Sequence, residues 1–315
     1  TTTMAAAAVS GVVVVVLLVV LSWCSVVPTS LEVMMEEELR QRISDDSFLV
    51  VLFSDSSECT GKCKELEDTL ALIREDIVEA FNAWVVRSHS PSLAEQYGLS
   101  SKKMGTGVVF IRNGIPLLYS GPVDDDEFML DYLISNPESA VHHLTDGNFE
   151  HLTQAATGAT TGDWLVMFTR SDCGTCTQLQ ATIEAVGANL RNKKNVAVMN
   201  RDSDGGQTTR RFGVKKFPSF LLFRQGRLFR YTLPGIDVGS LTSFAQEGFR
   251  NARAEEIPHP KTPFDDYTEW CADWLHENPS AIYVACIVII VVIIVVVISL
   301  RSSSASSKKV SKKKK

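Results

Sequence analysis

The sequence predicts an α/β fold laid down twice in tandem, each copy a mixed sheet flanked by helices, with one C-terminal transmembrane helix behind them. Three observations carry this. Two short apolar runs, 48–53 and 164–168, each lead into a cysteine pair that opens a helical segment. Behind each run comes the same series of helix, strand, turn, strand and helix. The period is about 110 residues, that of a domain and not of a solenoid. Residues 281–300 are twenty uncharged positions, mostly Val and Ile, the length that crosses a bilayer core of about 30 Å. A chain of 315 residues has room for two ordinary domains. Its 45% hydrophobic and 22% charged residues are a globular composition, which excludes a mainly disordered or collagen-like chain.

Charge is segregated along the chain. No charged side chain occurs before Glu32, and seven of the 31 basic residues lie after residue 300. The middle therefore holds 24 bases against all 37 acids, a net of -13. A middle so acidic argues against nucleic acid as a partner. Seven cysteines are too few for a disulfide scaffold.

The elements follow in order. Residues 12–21 are an unbroken apolar run of ten, about 15 Å of helix and half a bilayer core. With alanines ahead and Ser22, Ser25 and Ser30 behind, residues 1–30 read as a signal peptide. An uncleaved signal anchor is the other reading, because no Lys or Arg precedes the run. The first domain is set at 31–138. Its strand 48–53 runs into Cys59-Thr-Gly-Lys-Cys63 and a helical stretch, and a small helix ends at Tyr97-Gly98-Leu99. A strand at 108–114, a second strand and a final helix complete it. No first strand is visible ahead of residue 48. The acidic run Asp124 to Glu127 caps the last helix, since a helix N-terminus favours acids.

The second domain is set at 139–250. Residues 141–144 read as a strand and 147–157 as a helix with Asp146 as N-cap. A strand at 164–169 and one long helix at 173–190 follow, then a strand at 196–200 and a short helix at 206–212. Strands 219–224 and 227–232 form a hairpin through Gln225-Gly226, and the last helix is 238–250. Residues 251–280 are a juxtamembrane linker. Its aromatic residues Tyr267, Trp270 and Trp274 fit a membrane interface. Cys271 has no obvious partner within the chain. It is either a free thiol or an intermolecular link making a dimer. After the 281–300 span, Arg301 opens a basic tail, 301–315, which fixes the cytoplasmic end.

Cys173-Gly-Thr-Cys176 behind a buried strand, Phe212-Gly213-Val214, and Phe217-Pro218-Ser219 leading into a strand together resemble the thioredoxin fold. Val141-His-His-Leu-Thr-Asp-Gly-Asn-Phe149 is similar to the opening of protein disulfide isomerase domains, and the doubling over about 31–250 resembles that family. With its span the chain looks like a transmembrane thioredoxin-related protein of two thioredoxin-like domains. The resemblance implies a membrane-anchored thiol–disulfide oxidoreductase, isomerase-like, serving protein folding in the endoplasmic reticulum. It implies protein substrates bearing thiols or disulfides and calls for no cofactor and no metal. Cys173 would attack and Cys176 resolve. Free N–H groups and the helix dipole favour the Cys173 thiolate, and Gly174 would let the chain turn tightly between the sulfurs. Pro218 would be the cis-proline facing the pair, leaving the Phe217 backbone free to bind substrate strand-wise.

Three departures from the family pattern stand out. Asp172 replaces the Trp before the first cysteine and should oppose the thiolate. Met167 replaces a buried acid that relays the proton of the inner cysteine. The dipeptide is Gly-Thr. The rival reading is a redox-inactive client-binding or chaperone-like module with a structural disulfide. In the first domain Cys59 and Cys63 are four apart, so a disulfide between them would have to distort a helix. The cis-proline position falls on Thr106 or Gly105 there. That domain is expected to bind or position clients, with Cys59 and Cys63 as secondary thiols, and Lys62 and Lys64 beside Cys63. Lys312 and Lys313 resemble the dilysine retrieval signal of endoplasmic reticulum membrane proteins, which implies a single-pass type I protein with lumenal domains. The other reading of the tail is a stop-transfer flank that attracts anionic lipid.

Overall fold

The computed structural model describes residues 30–99, 105–158, 161–260 and 263–278, with 280, 283, 287 and 290–295 beyond them. The expected signal segment up to residue 29, most of the 281–300 span and the tail with Lys312 and Lys313 lie outside these residues. Among the described residues no helix is long and apolar enough to cross a membrane.

The first fold runs β1 (Glu32–Val33), α1 (Glu36–Asp45), β2 (Phe48–Phe53), α2 (Lys62–Phe81), β3 (Trp84–Ser88), α3 (Pro91–Gln96), β4 (Gly107–Arg112), β5 (Ile115–Leu118) and α4 (Asp126–Ile134). Its sheet has the order β1-β3-β2-β4-β5, with β1, β3 and β2 parallel and β4 and β5 antiparallel. The second runs β6 (Val141–Leu144), α5 (Phe149–Thr153), β7 (Trp164–Thr169), α6 (Gly174–Gln178), α7 (Gln180–Leu190), β8 (Asn195–Asn200), α8 (Gly206–Arg211), β9 (Ser219–Arg224), β10 (Arg227–Arg230), α9 (Val238–Gln246), a 3-10 turn (Gly248–Asn251) and β11 (Ala254–Glu256). Its order, β11-β10-β9-β7-β8-β6, repeats the first sheet and adds β11 at one edge. A last helix, α10 (Pro263–Glu277), follows.

The central strands are β2 and β7. Strands covered on both faces read as continuous apolar runs. All six residues of β7 are buried, as are five of the six in β2. Helix α2 buries Leu66, Leu70, Ile73 and Ile77, the stripe of an amphipathic helix, against the first sheet. Its end is closed by Asn82 in the left-handed region (φ 50), whose N–H reaches the Val78 carbonyl.

Several expected elements differ. The first fold does have a first strand, but β1 is two exposed residues paired with β3, too short to show alternation. The helix expected over 147–157 is only α5, and its cap is Asn148, not Asp146. Asn148 Oδ1 accepts from Thr145 N at 2.7 Å and so folds the entry turn. The helix expected over 173–190 is two helices, broken at Leu179 (φ -88, ψ 0). The expected last helix ends at Gln246 and passes into the 3-10 turn. β11 takes three residues of the expected linker, pairing Leu228 with Glu255.

Both sheets belong to one compact unit. Residues 207–213 and the described residues from 258 onward form another, inside which Arg211 Nε donates to the Pro258 carbonyl at 2.8 Å. Within the first unit, the two folds meet through a buried ion pair. Arg112, at the end of β4, donates from Nη2 to Glu184 Oε2 of α7 at 2.9 Å. Its Nη1 donates to the Asn136 and Glu138 carbonyls in the connection between the folds. Arg112 is 2% exposed and Glu184 5%.

Candidate redox site

The site forms where β7 gives way to α6. Cys173 is the N-cap of α6, with extended backbone, and Cys176 lies one turn in. Their sulfurs form a disulfide with the Cα atoms 5.2 Å apart. Cys173 Sγ also accepts the N–H of Cys176 at 3.1 Å. That is the N-cap role a serine or aspartate oxygen takes elsewhere, here filled by sulfur. An amide aimed at Sγ favours its anionic form. Cys173 is half-buried, whereas Cys176 is only 7% exposed. The outer sulfur is therefore the more accessible of the two.

Gly174 has helical backbone, and a Cβ built on it would meet nothing within 4 Å. The turn between the cysteines does not require glycine, contrary to expectation. The Phe217–Pro218 bond is cis. The register pairs Phe168, at the end of β7, with Ser219, at the start of β9. That pairing puts Pro218 at the same end of the sheet as the cysteine pair. Phe217 and Pro218 are half-buried.

Asp172 is not an isolated charge. Its Oδ1 lies 2.9 Å from Arg170 Nε, which is also 3.6 Å from Asp202 Oδ2. Met167 is 1% exposed, opposite Val198 on β8 and Phe220 on β9. A cavity of about 260 Å³ lies beside it, lined by Cys176, Gln180, Glu184, Val198 and, from the first fold, Ile115. Glu184 is the carboxylate in that lining. Both its oxygens accept from Ser139 Oγ, at 2.8 and 2.9 Å. Burial pushes its carboxyl above the ordinary range, against the pull of Ser139 and Arg112. Burial likewise pushes the Arg112 guanidinium down. Neither residue stands out in the sequence. The available signal is one acid on an otherwise uncharged helix and one base ending an apolar strand.

In the first fold, Cys59 and Cys63 form a disulfide with Cα atoms 5.1 Å apart. The expected distortion of the helix does not arise, because Cys59 precedes α2. Gly61, in the left-handed region at φ 54, turns the chain into the helix. Cys63 is 1% exposed and Cys59 half-buried, the same outer and inner arrangement as in the second fold. Lys64 is engaged by Asp68 at 2.7 Å and Glu67 at 3.5 Å. Phe53 pairs with Gly107 as Phe168 pairs with Ser219, so Thr106 and not Gly105 is the counterpart of Pro218. Its Oγ1 accepts from Asp55 N at 3.4 Å. Among the described residues no group of three or more His, Cys, Asp or Glu could hold a metal. Cys271 is a half-buried thiol on α10 without a disulfide partner among the described residues.

The thioredoxin family profile matches residues 140–247, the second fold with its cysteine pair. A thioredoxin of Alicyclobacillus acidocaldarius subsp. acidocaldarius is 32% identical over 84 residues, 27% of this chain and 74% of that protein. A thioredoxin domain-containing protein of Theileria parva is 33% identical over 136 residues, 42% of this chain. The chain spans 60% of the length of that relative. Among solved structures, ERdj5 in its form II is similar at 17% identity and a TM-score of 0.34, over 68% of this chain and 28% of that one. Human ERp44 in a zinc-bound form is similar at 12% identity and a TM-score of 0.31, over 69% of this chain and 57% of that one.

Proposed function

The chain belongs to the thioredoxin family, with two thioredoxin-like folds in tandem, and from that premise we propose that it exchanges thiols and disulfides of client proteins through Cys173 and Cys176. One observation carries the reading. An outer sulfur sits at a helix N-cap within reach of solvent and accepts an amide, with an inner sulfur buried one turn behind it.

In the reducing direction, the Cys173 thiolate attacks a client disulfide. A Cys173–client bond forms, the client S–S bond breaks, and one client sulfur leaves as a thiolate. Cys176, deprotonated, then attacks Cys173 Sγ and releases the second client thiolate. The protein is left with the disulfide present here, and the client has gained two electrons and two protons. The reverse sequence oxidises a client dithiol. A client segment pairs with the backbone at Phe217, beside the cis-proline.

The finer reading places this activity in the endoplasmic reticulum, as an isomerase-like aid to folding. The domains at 31–138 and 139–250 would be lumenal, tethered by the linker and a span at 281–300. The uncharged run and the Arg301 flank support the tether. The first domain binds and positions clients. The altered edge at Thr106 supports that division.

The test is a titration of the full chain against glutathione buffers, with each cysteine pair mapped by alkylation and mass. The Cys173–Cys176 pair should interconvert near the potential of that compartment, about -180 to -210 mV. Cys176→Ser should trap clients as mixed disulfides on Cys173, and the double variant with Cys173→Ser should trap none. A pair that stays oxidised across the series, with Cys173 resisting alkylation once reduced, would replace this reading with that of a binding module held by a structural disulfide.

A further inference from the structure

The same turn closes α3 in the first fold and α8 in the second. Tyr97-Gly98-Leu99 and Phe212-Gly213-Val214 each place glycine in the left-handed region, at φ 79 and φ 61. The two glycines have different surroundings. A Cβ built on Gly213 would meet nothing within 4 Å. A Cβ built on Gly98 would lie 2.8 Å from the main-chain oxygen of Gln178 and 3.4 Å from Thr182 Oγ1. Gln178 is the last residue of α6, two positions after Cys176. Its side chain reaches α3 as well, Nε2 to Glu95 Oε1 at 3.5 Å. The end of the helix that carries the redox pair is thus seated on a bare Cα of the other fold, closer than a residue with a side chain permits.

The first fold also grips the far side of the break at Leu179. There Glu184, on α7, is held by Arg112. Reduction replaces a covalent S–S bond with two non-bonded sulfurs, which need more room. Helix α6 is five residues long and separated from α7 at Leu179, so it can shift without carrying α7 with it. What its end rests on decides how readily it does so.

We propose that Gly98 is a positioning residue for the Cys173–Cys176 pair: through it the first fold fixes the end of α6 and sets the balance between disulfide and dithiol. The proposal rests on the reading of this pair as an exchanging one. It gives the fold that lacks the cis-proline a second task beside client binding.

The experiment compares Gly98→Ala with Gly114→Ala in the full chain. Gly114 is also left-handed, at φ 80, but a Cβ on it meets nothing within 4 Å. Both variants carry the backbone strain, and only the first presses on α6. Gly98→Ala should change the equilibrium constant of the pair with glutathione at least threefold, about 14 mV at roughly 30 mV per tenfold. Gly114→Ala should leave it unchanged. An unchanged constant in Gly98→Ala, or an equal change in both, overturns the proposal.

Hydrogen exchange reads the same coupling from the other end, and it serves if Gly98→Ala does not fold. Cys173→Ser with Cys176→Ser replaces the bonded pair with two non-bonded groups and leaves Cys59–Cys63 closed. The amides of Gly98 and Leu99, bonded to the Glu95 and Ala94 carbonyls, should then exchange several-fold faster than in the unaltered chain. Unaltered exchange there overturns the coupling. If the unaltered pair never opens in glutathione, the exchange reading fails instead, and the amide measurement still decides the coupling.

Discussion

Asp172, the residue before Cys173, has its carboxylate 2.9 Å from Arg170. A charge counted alone along the sequence is therefore half of a pair in the fold. Glu36 is a similar case away from the site. Its oxygens accept from Ser90 Oγ at 2.6 Å and Ser92 Oγ at 2.7 Å, and Arg40 lies at 2.8 Å. The two serine hydroxyls, then Arg40, hold its carboxyl down to about 2, against 4.5 ordinarily. A lowered folded value means the anion supports the folded state. That support is complete above the unfolded value and is lost as pH falls from about 4.5 toward 2. Carboxyl titration by NMR should place the Glu36 midpoint near 2. Glu36→Gln should flatten the acid limb of the stability profile over that window and leave the limb above it alone. A midpoint near 4.5 would mean that the serine contacts do not hold in solution.

The elements divide by how much of their cause is local. β2, β7 and β9 are legible because a buried strand is an apolar run with marked ends, and Asn113-Gly114 and Gln225-Gly226 mark the hairpins through positive φ. The cap of α4 is legible too. Asp125 Oδ1 accepts from Phe128 N at 2.9 Å, so the acidic run 124–127 is a helix start. Asp125→Ala should cost about 1 kcal/mol in urea denaturation, and Asp124→Ala much less. Equal costs would mean that general charge, not the cap, is responsible. The break at Leu179 is not legible, since neither proline nor glycine stands there. Nor are β1 and β11, two and three residues that are strands only because a neighbouring strand offers an edge. At the site, the outer and inner cysteines and the cis-proline are what the resemblance to the thioredoxin fold implies. The pairing of Arg170, the place of Cys59 ahead of its helix and the role of Gly61 are not, because each depends on where a loop turns.

In the folded chain the two sheets share one apolar core cluster, and Arg112 with Glu184 is the charged pair set into it. The residues are 72 apart in sequence, so no local pattern announces them. Removing one partner from a buried pair leaves the other charge without compensation, a cost of about 3–5 kcal/mol, whereas replacing both with apolar groups is often neutral. Arg112→Met should therefore destabilise the chain by that amount in urea denaturation, and Arg112→Met with Glu184→Leu should recover most of it. The pH dependence gives the sign independently. Burial already raises the Glu184 carboxyl, and loss of Arg112 raises it further. A group whose folded value lies above its unfolded one favours the folded state when protonated, and that advantage fades as pH rises through the folded value. The deficit of Arg112→Met should accordingly be largest near neutral pH and shrink on acidification through the carboxyl range. The double variant should show no such trend, having no carboxylate to titrate. A deficit independent of pH would mean that Arg112 matters through its Asn136 and Glu138 carbonyl contacts and that the ion pair does not join the two folds.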